Sequence, residues 1–200
     1  MSFWRQLARS IMLMVLLTLV LGIIYPFFVA GVGNLLFSRE VNGSLVTNTE
    51  GVIIGSSLIG QNFNDPKYFW GRPTTALAYN PEPSMGANLG PTNPAFLQAF
   101  ATRVKIIALA NRDQSALIPI DLVTASASGL DPDISLAGAE YQALRVAKAR
   151  KLALEQVESL IQALATPRQL GFLGEPRINV LQLNLALDQL SHRAMQSGKN

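Results

Sequence analysis

The chain has 200 residues, of which 49% are apolar and only 14% charged, with a formal net charge of +3. A typical soluble domain carries about 25% charged residues, so charge is scarce here, and the apolar content excludes a disordered chain. With no cysteine and a single histidine, His192, disulfide scaffolds, thiolate metal centres and cysteine nucleophiles are excluded, and a zinc or non-haem iron centre would lack ligands.

The apolar excess is concentrated at the front. From Ser10 to Ser38 no residue carries a charge, and Ile11 to Val29 is nearly all Leu, Ile, Val, Met and Phe. At about 1.5 Å per residue this run reaches roughly 28 Å, close to the thickness of a bilayer core. Its Leu, Ile, Val and Phe side chains favour insertion by roughly 4 to 8 kcal/mol. A cleaved signal peptide would have an apolar core of only about 7 to 15 residues and a small-residue cleavage site; this run is longer and no clear site follows. Pro26 is expected to kink or end the helix near its far end. Arg5 and Arg9 precede the run without an acid, whereas Arg39 beyond it is followed by Glu40, so the positive-inside rule puts the N-terminus in the cytoplasm. The sequence therefore predicts a cytoplasmic N-terminus over 1–10, a transmembrane anchor helix over 11–36, and a soluble, extracytoplasmic domain over 37–200.

Beyond the two leading arginines, fourteen basic residues face thirteen acidic ones. No basic stripe with interleaved aromatics is present, which excludes nucleic acid as a partner. Short β-leaning pieces, Ser44-Leu45-Val46 and Val52 to Ile54, flank a turn-rich stretch from Thr47 to Gly51. Asn64 to Asn93 is dense in proline, glycine and asparagine and predicts a long irregular segment. Its Tyr68, Phe69, Trp70 and Tyr79 argue for burial, in the core or against a partner. Asn93-Pro94 reads as the cap and first residue of a helix over 94–110, with Phe96, Phe100, Val104 and Ile107 on one face. Ile118 to Val123 predicts a strand, followed by a small-residue loop from Thr124 to Asp131. Helices are expected over about 136–150 and 153–165, the second stopped by Pro167 and the loop Gly171 to Pro176. Asn179, with Gln182 three residues later, predicts the start of a last helix over 180–190, although the apolar alternation there also permits a strand. The fold class expected is a single N-terminal transmembrane helix followed by one mixed α/β (α+β) soluble domain.

Chemistry is sparse. No phosphate-loop motif and no G-x-S-x-G elbow occurs. Ser126, Ser128 and Gly129, in a small-residue loop, are candidates for holding a nucleotide or anion through backbone N–H groups. Against this stands the ordinary reading of such loops as tight turns. His192 lies near the end of the last helix, a poor place for a preorganised base, and is expected to be solvent-exposed. Asp131 and Asp133 are explained by turn formation and by helix N-terminal charge. Arg145, Lys148, Arg150 and Lys151 read as a solvated helix surface balanced by nearby glutamates.

Several segments then carry a likeness. Gly60 to Pro73 (GQNFNDPKYFWGRP), Tyr79-Asn80-Pro81, Asn88 to Pro94 (NLGPTNP), Asp121 to Pro132 (DLVTASASGLDP), Arg145 to Arg150 (RVAKAR) and Gly171 to Asp188 (GFLGEPRINVLQLNLALD) occur in this order. Together they resemble the C subunit family of the Kdp potassium-transporting P-type ATPase. One departure is Ser84-Met85-Gly86-Ala87-Asn88, where that family has a turn with two glycines. The resemblance implies a single-pass protein of the bacterial inner membrane, partnered by a P-type ATPase subunit, a channel-like potassium subunit and membrane lipid. It implies an accessory subunit that is not itself an enzyme, needed for assembly and acting as a catalytic chaperone that raises the ATPase subunit's affinity for ATP. No cofactor of its own is expected; ATP and potassium belong to the complex. Within the matching segments Trp70, Arg72, Tyr79, Asn88 and Asn93 are the partner-interface candidates. An extracytoplasmic domain could alter ATP affinity only allosterically. Two other readings remain open on the residues: a membrane-anchored hydrolase using Ser126 or Ser128, and a tethered solute-binding module lined by Asn64 to Asn93.

Overall fold

The charge-free run is helical along its whole length. A computed structural model, which describes residues 3–48, 50–74 and 84–197, shows one helical rod from Phe3 to Leu36. In it α1 (Phe3–Leu19) passes through a π-helical turn, Val20–Ile24, into α2 (Tyr25–Leu36), and none of these residues is buried. Its 34 residues extend about 51 Å, so the apolar middle suffices to cross roughly 30 Å of hydrocarbon. Two polar side chains of the rod bond to its own backbone, as a span in lipid requires: Thr18 Oγ1 donates to the Met14 carbonyl at 2.8 Å and Asn34 Nδ2 to the Ala30 carbonyl at 2.8 Å. Pro26 does not end the helix. Proline lacks an N–H and crowds the carbonyl four residues earlier, here that of Gly22, and the π-helical turn containing Gly22 widens the ladder where the proline needs room. A short helix, α3 (Ser38–Val41), follows, and the first of two compact units closes at Leu45.

The second unit is Val46–Asn200, and a two-stranded sheet of β1 (Leu45–Thr47), whose first residue ends the first unit, and β2 (Ile53–Ser56) stands at its start. Asn48 organises the turn between them: its Oδ1 accepts from the Glu50 and Val52 amides at 3.0 and 2.9 Å. Helix α4 (Pro94–Ala110) starts as expected, with Asn93 Oδ1 accepting from the Ala95 amide at 2.9 Å. The strand expected over Ile118 to Val123 is a helical turn instead, Ile120–Leu122 of 3₁₀ type. Pro119 supplies no N–H to a ladder and fixes a φ suited to turn entry, and Thr124 Oγ1 returns to the Ile120 carbonyl at 2.8 Å.

The core is built around a small antiparallel ladder. Strand β3 (Asp133–Ser135) pairs with β4 (Arg177–Asn179) so that Ile134 faces Ile178, both buried. Each strand runs directly into a helix: β3 into α5 (Leu136–Arg150), and β4 into α7 (Val180–Ser197). The entries are capped by Ser135 Oγ, which accepts from the Gly138 amide at 2.9 Å, and by Asn179 Oδ1, which accepts from the Gln182 amide at 3.1 Å. This makes 180–190 helical, with Leu183 and Leu187 buried, and the helix continues to Ser197. Helix α6 (Leu154–Leu164) packs between them through Val157 and Ile161. Its start is supported by the Gln156 side chain, which accepts from the Ala153 amide at 3.3 Å; alanine offers no side-chain acceptor in return. The result is a single apolar cluster uniting Ile134, Ile178, Val146, Val157, Ile161, Leu183 and Leu187 with Phe69.

Candidate functional site

Phe69 belongs to no helix or strand, yet it is fully buried. It is the centre of a strap, Asp65 to Arg72, which opens with a turn, the Tyr68 amide donating to the Asp65 carbonyl at 3.0 Å, and then lies over α5 and α7. Backbone buried outside a helix or strand must find other partners for its N–H and C=O groups. Side-chain amides serve instead. Asn184, on α7, receives the Phe69 amide on Oδ1 at 2.8 Å and donates Nδ2 to the Phe69 carbonyl at 3.0 Å. Gln142, on α5, repeats the arrangement at Trp70: Oε1 accepts from its amide at 2.9 Å and Nε2 donates to its carbonyl at 3.1 Å. Both carboxamides are buried, and each mimics one pair of a β ladder.

Two arginines of α5 complete the lock. The buried Arg145 guanidinium donates to the carbonyls of Pro66 and Tyr68, to Asn111 Oδ1 at 3.1 Å and to Gln142 Oε1 at 2.7 Å. It also lies 4.4 Å from the centre of the Trp70 ring. No carboxylate is among these partners; carbonyl dipoles and a ring face meet the charge. Burial lowers its pKa to about 10, so it stays protonated at neutral pH. Arg150 donates Nε to the Lys67 carbonyl at 2.7 Å, approaches Asp188 at 2.7 Å and lies 4.8 Å from the centre of the Tyr68 ring. The expectation that 145–151 is a solvated run is therefore corrected. Lys148 and Lys151 are exposed, whereas Arg145 and Arg150 turn inward because the strap carbonyls and aromatic faces need cations.

At its far end the strap reaches the 124–131 loop. Arg72 bonds to Asp131 Oδ2 at 2.9 Å and to the Thr124 and Ala125 carbonyls at 3.5 and 3.4 Å. Asp131 Oδ1 accepts from the Asp133 amide at 3.0 Å, and Asp133 pairs with Arg177 Nε at 2.8 Å. The two carboxylates thus have separate cationic partners. Burial, and secondarily the nearby Asp131, raise the Asp133 pKa above its ordinary value.

The loop candidates bond to each other. Ser126 Oγ accepts from the Gly129 amide at 2.9 Å, Ser128 Oγ accepts from the Leu130 amide at 3.1 Å, and the two hydroxyls lie 3.4 Å apart. Two of the loop's N–H groups that an anion could use, those of Gly129 and Leu130, already have serine acceptors. The same loop receives the 84–90 segment, with Ser84 Oγ donating to the Ser128 carbonyl at 3.1 Å. A Cβ on Gly86 would stand 2.5 Å from the Ala127 carbonyl oxygen. The glycine that this chain retains is therefore the one the contact requires, while the departure from the two-glycine turn, Met85, is exposed. An open groove of about 620 Å³, lined by Arg72, Ser126, Ser128 and Asp131, lies alongside.

Of the interface candidates, Trp70 and Arg72 are half-buried parts of the strap, and Trp70 Nε1 donates to the Asp65 carbonyl at 3.1 Å. Asn88 is exposed, with a left-handed φ of 50°. Asn93 is half-buried, and its side chain caps α4. Tyr79 lies outside the described residues. His192 is exposed. Among the described residues no group of three or more histidines or acids is placed to hold a metal ion. Sequence reasoning missed Gln142, Asn184, Arg145 and Arg150. A signal existed: Ala139, Gln142, Ala143, Val146 and Arg150 recur at helical spacing, so polar groups are embedded in the apolar face of α5.

The family model described as KdpC, K+-transporting ATPase, c chain, matches residues 7–189. The potassium-transporting ATPase KdpC subunit of Methylococcus capsulatus is 53% identical over 183 residues, which cover 90% of this chain and 96% of that one. The subunit of the same name from Janthinobacterium sp. (strain Marseille) is 50% identical over 182 residues, with coverages of 90% and 96%. That of Citrifermentans bemidjiense is 48% identical over 191 residues and is covered completely, against 94% of this chain.

Proposed function

The chain belongs to the family of K+-transporting ATPase c chains, and from that premise we propose that it is a non-catalytic accessory subunit of an ATP-driven potassium import complex. The observation that carries this reading is the extent of the match, which runs from within α1 into α7 and so includes anchor, strap and core together. The partners are a P-type ATPase subunit, which hydrolyses ATP, and a channel-like subunit, which carries potassium. The subunit contributes to assembly and acts as a catalytic chaperone, raising the ATPase subunit's affinity for ATP.

The charges around the anchor support a cytoplasmic N-terminus in the bacterial inner membrane and an extracytoplasmic domain. Action on nucleotide affinity is then allosteric: the subunit binds one conformational state of its partners better than another and so shifts their equilibrium. The serine hydroxyls of the 124–131 loop, which accept from the Gly129 and Leu130 amides, favour this over direct nucleotide contact by Ser126, Ser128 and Gly129. A strap fixed by buried amides and arginines suits such a role, because a rigid surface loses little entropy on docking. Trp70, Arg72, Tyr79, Asn88 and Asn93 are the side chains proposed to meet the partner subunits.

Co-purification in mild detergent tests the reading. The chain is expected to emerge with the ATPase subunit, and its removal is expected to raise the KM for ATP several-fold. A chain that purifies alone, with potassium uptake unchanged by its deletion, would contradict it. Orientation is tested by Leu117→Cys, since Leu117 is 94% exposed and the sequence has no other cysteine. Labelling by a membrane-impermeant maleimide in cells with a permeable outer layer and an intact inner membrane is expected; protection until the inner membrane is opened would reverse the topology.

A further inference from the structure

Pro26 and the π-helical turn before it open the hydrogen-bond ladder of the rod at one place. In an α-helix each carbonyl accepts from the amide four residues further on. The Tyr25 amide donates instead to the Val20 carbonyl, five residues back. The Leu21 carbonyl thereby loses its α-helical donor, and the next residue along, Pro26, has no N–H to replace it. The Gly22 carbonyl, whose α-helical donor would be Pro26 itself, loses that donor too. Two successive acceptors are opened, and Leu21 lacks the π-helical donor as well as the α-helical one.

Their depth makes this unfavourable in an isolated rod. Leu21 and Gly22 lie near the middle of the charge-free run from Ser10 to Ser38, where hydrocarbon supplies neither water nor a donor. The Thr18 hydroxyl, one turn earlier, is already given to the Met14 carbonyl. Its methyl turns toward Gly22 instead: a Cβ built on Gly22 would meet only that methyl, at 3.8 Å. A notch formed by a glycine and a methyl group therefore lies beside the opened acceptors, and small residues of this kind let a second helix approach closely.

The chemistry of the opening says what fills it. Lipid tails carry no donor, and a charged donor is strongly disfavoured at that depth. A neutral hydroxyl or carboxamide on another membrane-spanning helix meets both conditions. We propose that the Leu21–Gly22 turn is the docking point for one transmembrane helix of a partner subunit, which lies in the Gly22 notch and donates a hydrogen bond from a Ser, Thr, Asn or Gln side chain to the Leu21 carbonyl. This rests on the accessory-subunit reading above and gives the anchor a specific contact in assembly.

Isotope-edited infrared spectroscopy of the full-length chain, with a heavy-isotope carbonyl at Leu21 alone, reads that bond directly. A synthetic N-terminal peptide carrying the label is joined to the rest of the chain at Ala30, through a cysteine that is desulfurised to alanine. In bilayers without the other subunits, the labelled band is expected at the frequency of an unbonded carbonyl; after assembly with them, it is expected to move to lower frequency. In parallel, with all subunits co-expressed, Pro26→Ala restores an N–H and Gly22→Leu fills the notch. Each is expected to lower the yield of the complex about three- to tenfold, with retention of the chain in alkali-washed membranes unchanged. Both substitutions favour a plain helix, so a turn that served the anchor alone would leave the yield intact.

A band already shifted in the chain alone overturns the docking point, whether water or a second copy supplies the donor, as does a band that stays in place on assembly. Undiminished yield with either variant overturns it too, and so does a loss of membrane retention matching the lost yield. If the wild-type chain copurifies and these tests fail, only the docking point is lost. If the wild-type chain does not copurify, the accessory reading fails and the docking point with it.

Discussion

The strap and the hairpin between α6 and β4, in which Thr166 pairs with Arg177 and Gln169 with Leu173, are both irregular segments rich in apolar side chains and chain-breaking residues. They end in opposite arrangements. The strap buries Phe69 and half-buries Trp70, and borrows its backbone partners from Asn184, Gln142 and Arg145 on neighbouring helices. The hairpin satisfies its own backbone and leaves Leu170 and Phe172 in solvent. The difference teaches that apolar content alone does not decide whether an irregular segment joins the core. A segment can be buried only where buried polar side chains stand ready for its amides; without them it must pair with itself and remain outside.

That contrast can be broken most forcefully at Arg145. Replacing it with Met strands two strap carbonyls, Asn111 and Gln142 at once, and is expected to cost about 3 to 5 kcal/mol in chemical denaturation of the full chain in detergent. Arg145→Lys keeps the charge but loses the fork, and should recover only part of that. Asn184→Leu orphans both backbone groups of Phe69, and about 2 to 4 kcal/mol is expected after the apolar gain is counted. Trp70→Ala removes a half-buried ring and its cation contact, for about 2 kcal/mol; a loss as large as that of a fully buried tryptophan would place the ring in the core. At the other pole, Leu170→Gly relieves the left-handed strain of a φ of 53°. It should raise stability by about 0.5 kcal/mol, the reverse of every strap variant.

Acid titration sharpens the frame behind the strap. Folding favours the neutral form of Asp133, because burial raises its pKa above 3.8. The folded state then binds more protons than the unfolded one in the range just above 3.8. Stability from this group is present below that range and declines as pH rises through it. Asp133→Asn, which keeps a hydrogen-bonding side chain beside Arg177, is expected to flatten that decline in urea unfolding curves. An unchanged slope would mean that the Arg177 pairing outweighs the burial.

What could be read in the sequence follows from how local each signal is. The anchor is legible because insertion depends on composition summed along the chain, which needs no tertiary information. Helix α4 is legible from its cap and from apolar residues at helical spacing, and Asn93 and Asn179 cap where expected. Strands β3 and β4 were invisible: each has three residues, and their pairing joins segments far apart in the chain. The strand expected at Ile118 to Val123 failed because β-branched residues around Pro119 suggest extension while the proline removes the donor that a ladder needs. In the candidate site the buried aromatics were legible as worth burying, but their partners were not. Charged residues at helical spacing look solvated until the strap that turns Arg145 and Arg150 inward is known. The hairpin is legible in the sequence only as a stop to α6, since glycines and Pro176 mask the apolar residues between them.

The central claim, that the strap belongs to the fold and the hairpin tip stands outside it, is tested most directly by one thermal melt. The full chain in detergent is followed by circular dichroism as wild type, as Asn184→Leu, and as the Leu170→Ser, Phe172→Ser pair. The account predicts a melting temperature lowered by about 5 to 15 °C in the first variant and unchanged in the second. Equal losses in both would contradict it, as would a strap variant that melts like wild type.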